Sequence, residues 1–156
     1  IVRHMIISTN SGKVVFYNPP NNQILLNISN DIEEFIAYFS VEKIDVEVSF
    51  CTAEQIKDLN YKFRKKDSET NVLSFPAESF MGIQNACCGE VIICYEVLNN
   101  EATESSKNIT NHFKHLLVHS LLHLLGYEHD KENDAILMES EEIKFLSKIG
   151  ISDPYK

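Results

Sequence analysis

Between residues 119 and 129 the chain reads His-Ser-Leu-Leu-His-Leu-Leu-Gly-Tyr-Glu-His, and this stretch restricts the backbone more than any other. Residues four apart on an α-helix share one face, so His119 and His123 aim two ring nitrogens at a common point. Gly126 accepts the positive φ that ends a helix, and the turn brings His129 back toward the same point. A lone histidine is ordinarily a surface or satisfied core residue. A pair at i, i+4 can arise by chance in a chain with six histidines. The Gly-x-x-His continuation makes chance a poor explanation and points to a metal site. Three neutral imidazoles leave a fourth tetrahedral position open, as in a catalytic zinc centre. Magnesium and calcium prefer oxygen ligands, whereas iron, nickel and copper fit the same imidazoles. The expectation is one Zn²⁺ per chain, held by His119, His123 and His129.

The spacing H-x-x-x-H-x-x-G-x-x-H is similar to that of the metzincin proteases. In those enzymes the first histidine is followed by a glutamate that acts as general base. Here that position is Ser120, so the peptidase base is missing while the metal cradle is retained.

A chain of 156 residues can bury a real core as one domain, and residues 1–156 are read as such. Ile1-Val-Arg-His4 ahead of Met5 resembles an expression remnant. No run approaches the roughly 20 apolar residues of a membrane span, and no signal-peptide pattern opens the chain. No membrane partner is expected. The four cysteines, at 51, 87, 88 and 94, lack C-x-x-C spacing and read as reduced, mostly buried thiols; a second metal site at Cys87 or Cys88 is the minor alternative. A net charge of −9 argues against tight, non-specific polynucleotide binding, and no DNA partner is expected. One local basic patch stands out: Lys57, Lys62, Arg64, Lys65 and Lys66. Such a run is more often a solvated helix end than a site.

The pattern along the chain predicts an α+β single domain, a small mixed sheet packed against several helices with the metal-binding helix in the core. Strands are expected around Ile6-Ile7 and over 13–17, followed by a loop at Asn18 to Asn22. Ile28, Ile32, Phe35, Ile36 and Phe39 share a helical face, with Asn30 and Glu33 as its cap. Alternation of Ile44, Val46, Val48 and Phe50 with polar residues marks a half-buried strand. Thr52 to Gln55 is a capping box that opens a helix with Ile56, Leu59 and Phe63 on its apolar face. Residues 71–75 read as a strand stopped by Pro76, residues 77–88 as a long loop or hairpin connection, and 90–95 as a buried strand. A short helix is expected within 99–111, the metal helix over 110–125, and a last helix over 133–148.

His115-Leu-Leu-Val-His119-Ser-Leu-Leu-His123-Leu-Leu-Gly126-Tyr-Glu-His129 resembles the signature of the bacterial YbeY endoribonuclease family, the rRNA maturation factors. So do Leu59-Asn-Tyr-Lys-Phe-Arg64, Thr70-Asn-Val-Leu-Ser-Phe-Pro76, Gly89-Glu-Val-Ile-Ile93 and Met138-Glu-Ser-Glu141, in the family's order. The likeness spans roughly residues 45–146. This chain departs from the usual pattern at Ser120, commonly Gly, and at Asn71, Glu90 and Glu128, commonly Asp. Only Asn71 removes a charge.

The resemblance implies a metal-dependent endoribonuclease specific for single strands, acting in rRNA maturation and ribosome quality control. It also implies a cytoplasmic protein whose partners are single-stranded rRNA and proteins of the small ribosomal subunit. Arg64 matches the family's functional arginine, and a guanidinium suits a phosphate through two parallel hydrogen bonds. Arg64 and His115 are the candidate catalytic residues. His115 lies one turn before His119; its open roles are to orient a metal ligand, shuttle a proton, touch substrate, or simply begin the helix in solvent. Asn71 and Ser74 are expected to line the cleft. Glu90, Glu128 and Asp130 are carboxylate candidates for the base, and the 2′-hydroxyl of RNA itself is an alternative attacking group. The alternatives in other classes are a non-catalytic ribosome-assembly factor with a structural metal and, further off, a metzincin-like metalloprotease.

Overall fold

The computed structural model describes residues 3–80, 83–128 and 130–156. Among the described residues, five strands form one mixed sheet, with five α-helices around it. β1 (His4–Thr9) and β2 (Gly12–Tyr17) make an antiparallel hairpin. β3 (Lys43–Cys51) lies parallel to β2, and β5 (Ala86–Cys94) parallel to β3. β4 (Val72–Pro76) closes the sheet as an edge strand antiparallel to β5, giving the order β1-β2-β3-β5-β4. The fold is α+β, as the alternation of periods two and 3.6 predicted.

α4 (Ile109–Leu125) runs through the core and positions the histidines. Phe113, Leu116, Leu117, Leu121, Leu122 and Leu124 are all buried along it, and the Phe113 ring sits 5.7 Å from that of Phe50 on β3. A helix apolar on most of its circumference belongs inside a protein, and only a narrow stripe of α4 reaches the surface. α1 (Ile28–Tyr38) and α5 (Glu132–Lys148) complete this layer, with Phe35 edge-on to Phe145 at 5.5 Å. Because side chains alternate along β5, Ile93 joins that core while Cys94 faces the other way, toward Ile56 of α2 (Ala53–Arg64) and Leu73 of β4. Among the described residues no helix is long and apolar enough to cross a membrane.

Four sequence expectations shift. α1 begins at Ile28 behind Asn27, which takes φ 61° and makes no side-chain cap, so Asn30 lies inside the first turn. Burying an isoleucine is worth about 1.5–3 kcal/mol against about 1 for a cap, and Ile28 and Ile32 are both buried. β5 starts at Ala86 and pairs with β3 from Lys43↔Ala86 to Cys51↔Cys94, earlier than the strand expected over 90–95. Gly89 is there for close approach: a Cβ would stand 2.3 Å from the Phe75 carbonyl oxygen on β4. α3 (Tyr95–Glu104) follows β5 directly instead of starting near residue 99, because Leu98 and Ala102 are a buried i, i+4 pair. On α2 the capping box forms as expected, with Thr52 and Gln55 bonding each other's backbone. Phe63, expected on its apolar face, is 55% exposed, and Asn60 is buried in its stead, donating to the Ser68 carbonyl at 2.9 Å.

Candidate functional site

α4 ends as its sequence requires. Gly126 takes φ 108°, and the N–H groups of Gly126 and Tyr127 donate back to the carbonyls of His123 and Leu122. The same turn puts the Tyr127 carbonyl 3.0 Å from His123 Nδ1. A carbonyl only accepts, so that nitrogen carries the proton and His123 Nε2 presents a lone pair. His119 is fixed in the same sense: its Nδ1 donates to Glu142 Oε1 on α5. The Glu142 side chain has no exposed surface, and burial by itself would raise its pKa. Hydrogen bonds from His115, His119 and Tyr155 outweigh that and bring it down to about 2, so it accepts as a carboxylate.

The two Nε2 atoms lie 3.1 Å apart, with the rings edge to face at 4.6 Å between centroids. Two nitrogens bound tetrahedrally to one zinc at 2.0–2.1 Å are separated by roughly 3.3 Å. The donor chemistry and the spacing therefore suit a two-nitrogen chelate. His129, the third expected ligand, lies outside the described residues. Among the described residues no three His, Cys, Asp or Glu side chains gather into a metal-holding group.

His115 sits one turn earlier on α4, largely covered. Its Nε2 is 3.0 Å from Glu142 Oε2 and 3.4 Å from the Tyr155 hydroxyl. Its Nδ1 is buried with no partner among the described residues. Both ring nitrogens thus face protein, an arrangement suited to anchoring Glu142.

These histidines border an open cleft of about 770 Å³ whose far wall is β4. Arg64, the last residue of α2, lines the same cleft; it is exposed and makes no hydrogen bond or ion pair among the described residues. Asn71 and Ser74 line it as expected, and Glu128 and Asp130 stand on its rim, exposed. Glu90, the remaining carboxylate candidate, is exposed on β5 and does not border the cleft. Ser120 is fully buried and donates to the Leu116 carbonyl at 2.9 Å, so nothing at that position reaches the histidines' cleft as a base.

The four cysteines are free thiols, three of them buried. Burial pushes Cys51 up to about 11, with Cys94 adding to the shift, and raises Cys87 and Cys88 as well. Thiols held protonated are poor metal ligands, which disfavours a second site at Cys87 or Cys88.

Sequence reasoning missed Glu142 and Tyr155. The available signal for Glu142 was its register: with Met138, Phe145 and Leu146 buried around it on α5, a carboxylate occupies an apolar-face position. It also missed how Asn71 is used. Asn71 Nδ2 donates to both carboxylate oxygens of Glu101, at 3.0 and 3.3 Å, and Glu101 also bonds His112 Nε2 at 3.1 Å. An aspartate at 71 would set two carboxylates against each other; the amide fits Glu101.

The fold and the site define a small α+β protein with a pair of converging histidines at one wall of an open, arginine-bordered cleft. The model of the family described as endoribonuclease YbeY matches residues 17–150. A curated endoribonuclease YbeY from Ruthia magnifica is 40% identical over 129 residues, covering 83% of this chain and 89% of that protein. Another, from Colwellia psychrerythraea, is 42% identical over 114 residues, covering 73% and 74%. The chain belongs to the endoribonuclease YbeY family. The solution structure of TM1509 from Thermotoga maritima superposes with a TM-score of 0.65 over 92% of this chain and 97% of that one; at 24% identity this is a likeness of fold.

Proposed function

We propose that this protein is a zinc-dependent endoribonuclease that cuts single-stranded RNA in rRNA maturation and ribosome quality control. The observation that carries the reading is the His119–His123 pair: both Nδ1 atoms are engaged by acceptors, both Nε2 atoms converge at 3.1 Å, and the cleft beside them is bordered by Arg64. His119, His123 and His129 would hold the ion. When bound, zinc supplies a water of lowered pKa and polarises a phosphoryl oxygen.

The chain's own residues account for the rest. Arg64 grips the scissile phosphate and offsets the charge that builds on it, for which a planar guanidinium is better suited than an ammonium. Glu142 and the Tyr127 carbonyl hold the imidazoles in one tautomer. Glu128 or Asp130 takes the proton from the attacking group, which is a water or the substrate's own 2′-hydroxyl. Phe63, beside Arg64 and propped edge-on against Phe75 at 5.1 Å, offers an exposed ring on which an unpaired base can stack. With a net charge of −9, long-range attraction of free RNA is weak, so the substrate is delivered by the small ribosomal subunit. A protease reading is disfavoured by the buried Ser120.

The test is cleavage of a defined single-stranded RNA by purified protein, with and without a chelator, beside a His123→Ala control. Cleavage that stops on chelation, returns with zinc and is missing from the control supports the reading. Cleavage indifferent to chelator, or equal in the control, contradicts it.

A further inference from the structure

The segment after α5 folds back on the site. The Ile151 side chain is buried and its N–H donates to the Leu146 carbonyl at 2.8 Å. Lys107, between α3 and α4, donates through Nζ to the Pro154 carbonyl at 2.9 Å, and the Tyr155 N–H donates to Asp153 Oδ1 at 2.8 Å. This path delivers the Tyr155 hydroxyl to Glu142 Oε2, where it donates at 2.6 Å. The ring stands edge-on to His115 at 5.4 Å and lines the cleft, leaving Tyr155 46% exposed. The family match ends at residue 150, so this donor comes from beyond it.

Glu142 therefore has three donors from two directions. His115 and His119 approach from one face of α4, and Tyr155 from the segment 151–155. A fully buried carboxylate is tolerable only when its oxygens are satisfied. Oε1 serves His119, so the donors on Oε2 decide how firmly the group is held in rotation. We infer that Tyr155 is a positioning residue: by fixing Glu142 it fixes the His119 ring, and so couples docking of the segment 151–155 to the metal affinity of the histidine pair. This rests on the reading that the pair holds a metal. A phenol suits the task, since it ends a stiff side chain with few rotamers and keeps its donor at one distance. Loss of the hydroxyl leaves Oε2 with His115 alone, and the carboxylate gains freedom that His119 shares.

The test compares wild type, Tyr155→Phe and Glu142→Gln. Zinc affinity is read by competition with a chromophoric chelator, the ligand field by the visible spectrum of the cobalt(II) form, and folding by the melting temperature of each metal-free protein. Partners of a metal-bound histidine typically change metal affinity about 10–100-fold, so Tyr155→Phe should weaken zinc about 10-fold and Glu142→Gln about 100-fold. The Tyr155→Phe protein should also show an altered cobalt spectrum and a metal-free melting temperature lowered only by the loss of one hydrogen bond to Glu142, because His115 still serves Oε2 and the ring and the backbone contacts remain. Equal zinc affinity and superimposable cobalt spectra for wild type and Tyr155→Phe overturn the inference. So does a lowered melting temperature with unaltered zinc affinity, which assigns the hydroxyl to the fold alone. A wild type that binds neither zinc nor cobalt removes the metal reading itself, and the inference with it.

Discussion

The two ends of the cleft are built on opposite plans. At the histidine end a buried carboxylate takes three hydrogen bonds and a helix-ending turn supplies a fourth contact, so ring orientation is set by folding. At the arginine end, Arg64 stands exposed at the terminus of α2 beside Lys65 and Lys66, with no partner among the described residues. The histidine end is preorganised and should respond to mutation through geometry. On the proposed reading the arginine end is completed by substrate, and it should respond through charge.

The largest effect is expected at the preorganised end. His123→Ala should abolish zinc binding and lower RNA cleavage beyond the roughly 10²–10³-fold that loss of one electrostatic donor costs. Arg64→Ala should fall within that range, about 10²-fold in kcat, with zinc content and melting temperature close to wild type. Metal analysis and thermal denaturation on the same preparations separate the two ends. Loss of zinc or of stability in Arg64→Ala would end the distinction between them.

Acid should expose the same contrast. The Glu142 pKa is about 2 in the folded protein against about 4.3 for an unperturbed glutamate, so its contribution to stability is complete above about pH 4.3 and is lost as pH falls toward 2. Melting of metal-free wild type should drop through that window, and Glu142→Gln should drop less; parallel curves would show that the hydrogen-bonded carboxylate is not what the acid titrates. The smallest effect is at the turn. Gly126→Ala meets nothing within 4 Å, so only its φ of 108° is strained, at about 1–3 kcal/mol. Its consequence should be weaker zinc binding through displacement of the Tyr127 carbonyl from His123. A destabilised protein with unchanged zinc affinity would detach the turn from the site.

How far these features could be read beforehand follows from their range along the chain. The His119–His123 pair, the Gly126 turn, the Thr52 capping box and the alternation in β3 are each written within a dozen residues, and each was legible. Glu142 is 23 residues from His119 and stands in the acidic run Glu139-Ser-Glu-Glu142, which looks like a solvated face until its neighbours in register are seen to be apolar. Tyr155 meets Glu142 only because the segment after Gly150 turns back, a contact no local period encodes. The start of β5 was hidden because Gly89, which marks close approach to β4, interrupts the apolar run on which the strand was read. Arg64 could be singled out by resemblance and placed in the cleft by the fold, yet its charge pattern alone is that of a helix end.

The central claim is that the histidine pair on α4 holds a catalytic metal, and the most direct measurement is X-ray absorption at the zinc edge on purified protein, with metal content measured on the same sample. The account predicts about one zinc per chain with nitrogen and oxygen neighbours at 2.0–2.1 Å, lost in His123→Ala. A shell of sulfur at about 2.3 Å, or RNA cleavage by protein free of metal, would contradict it.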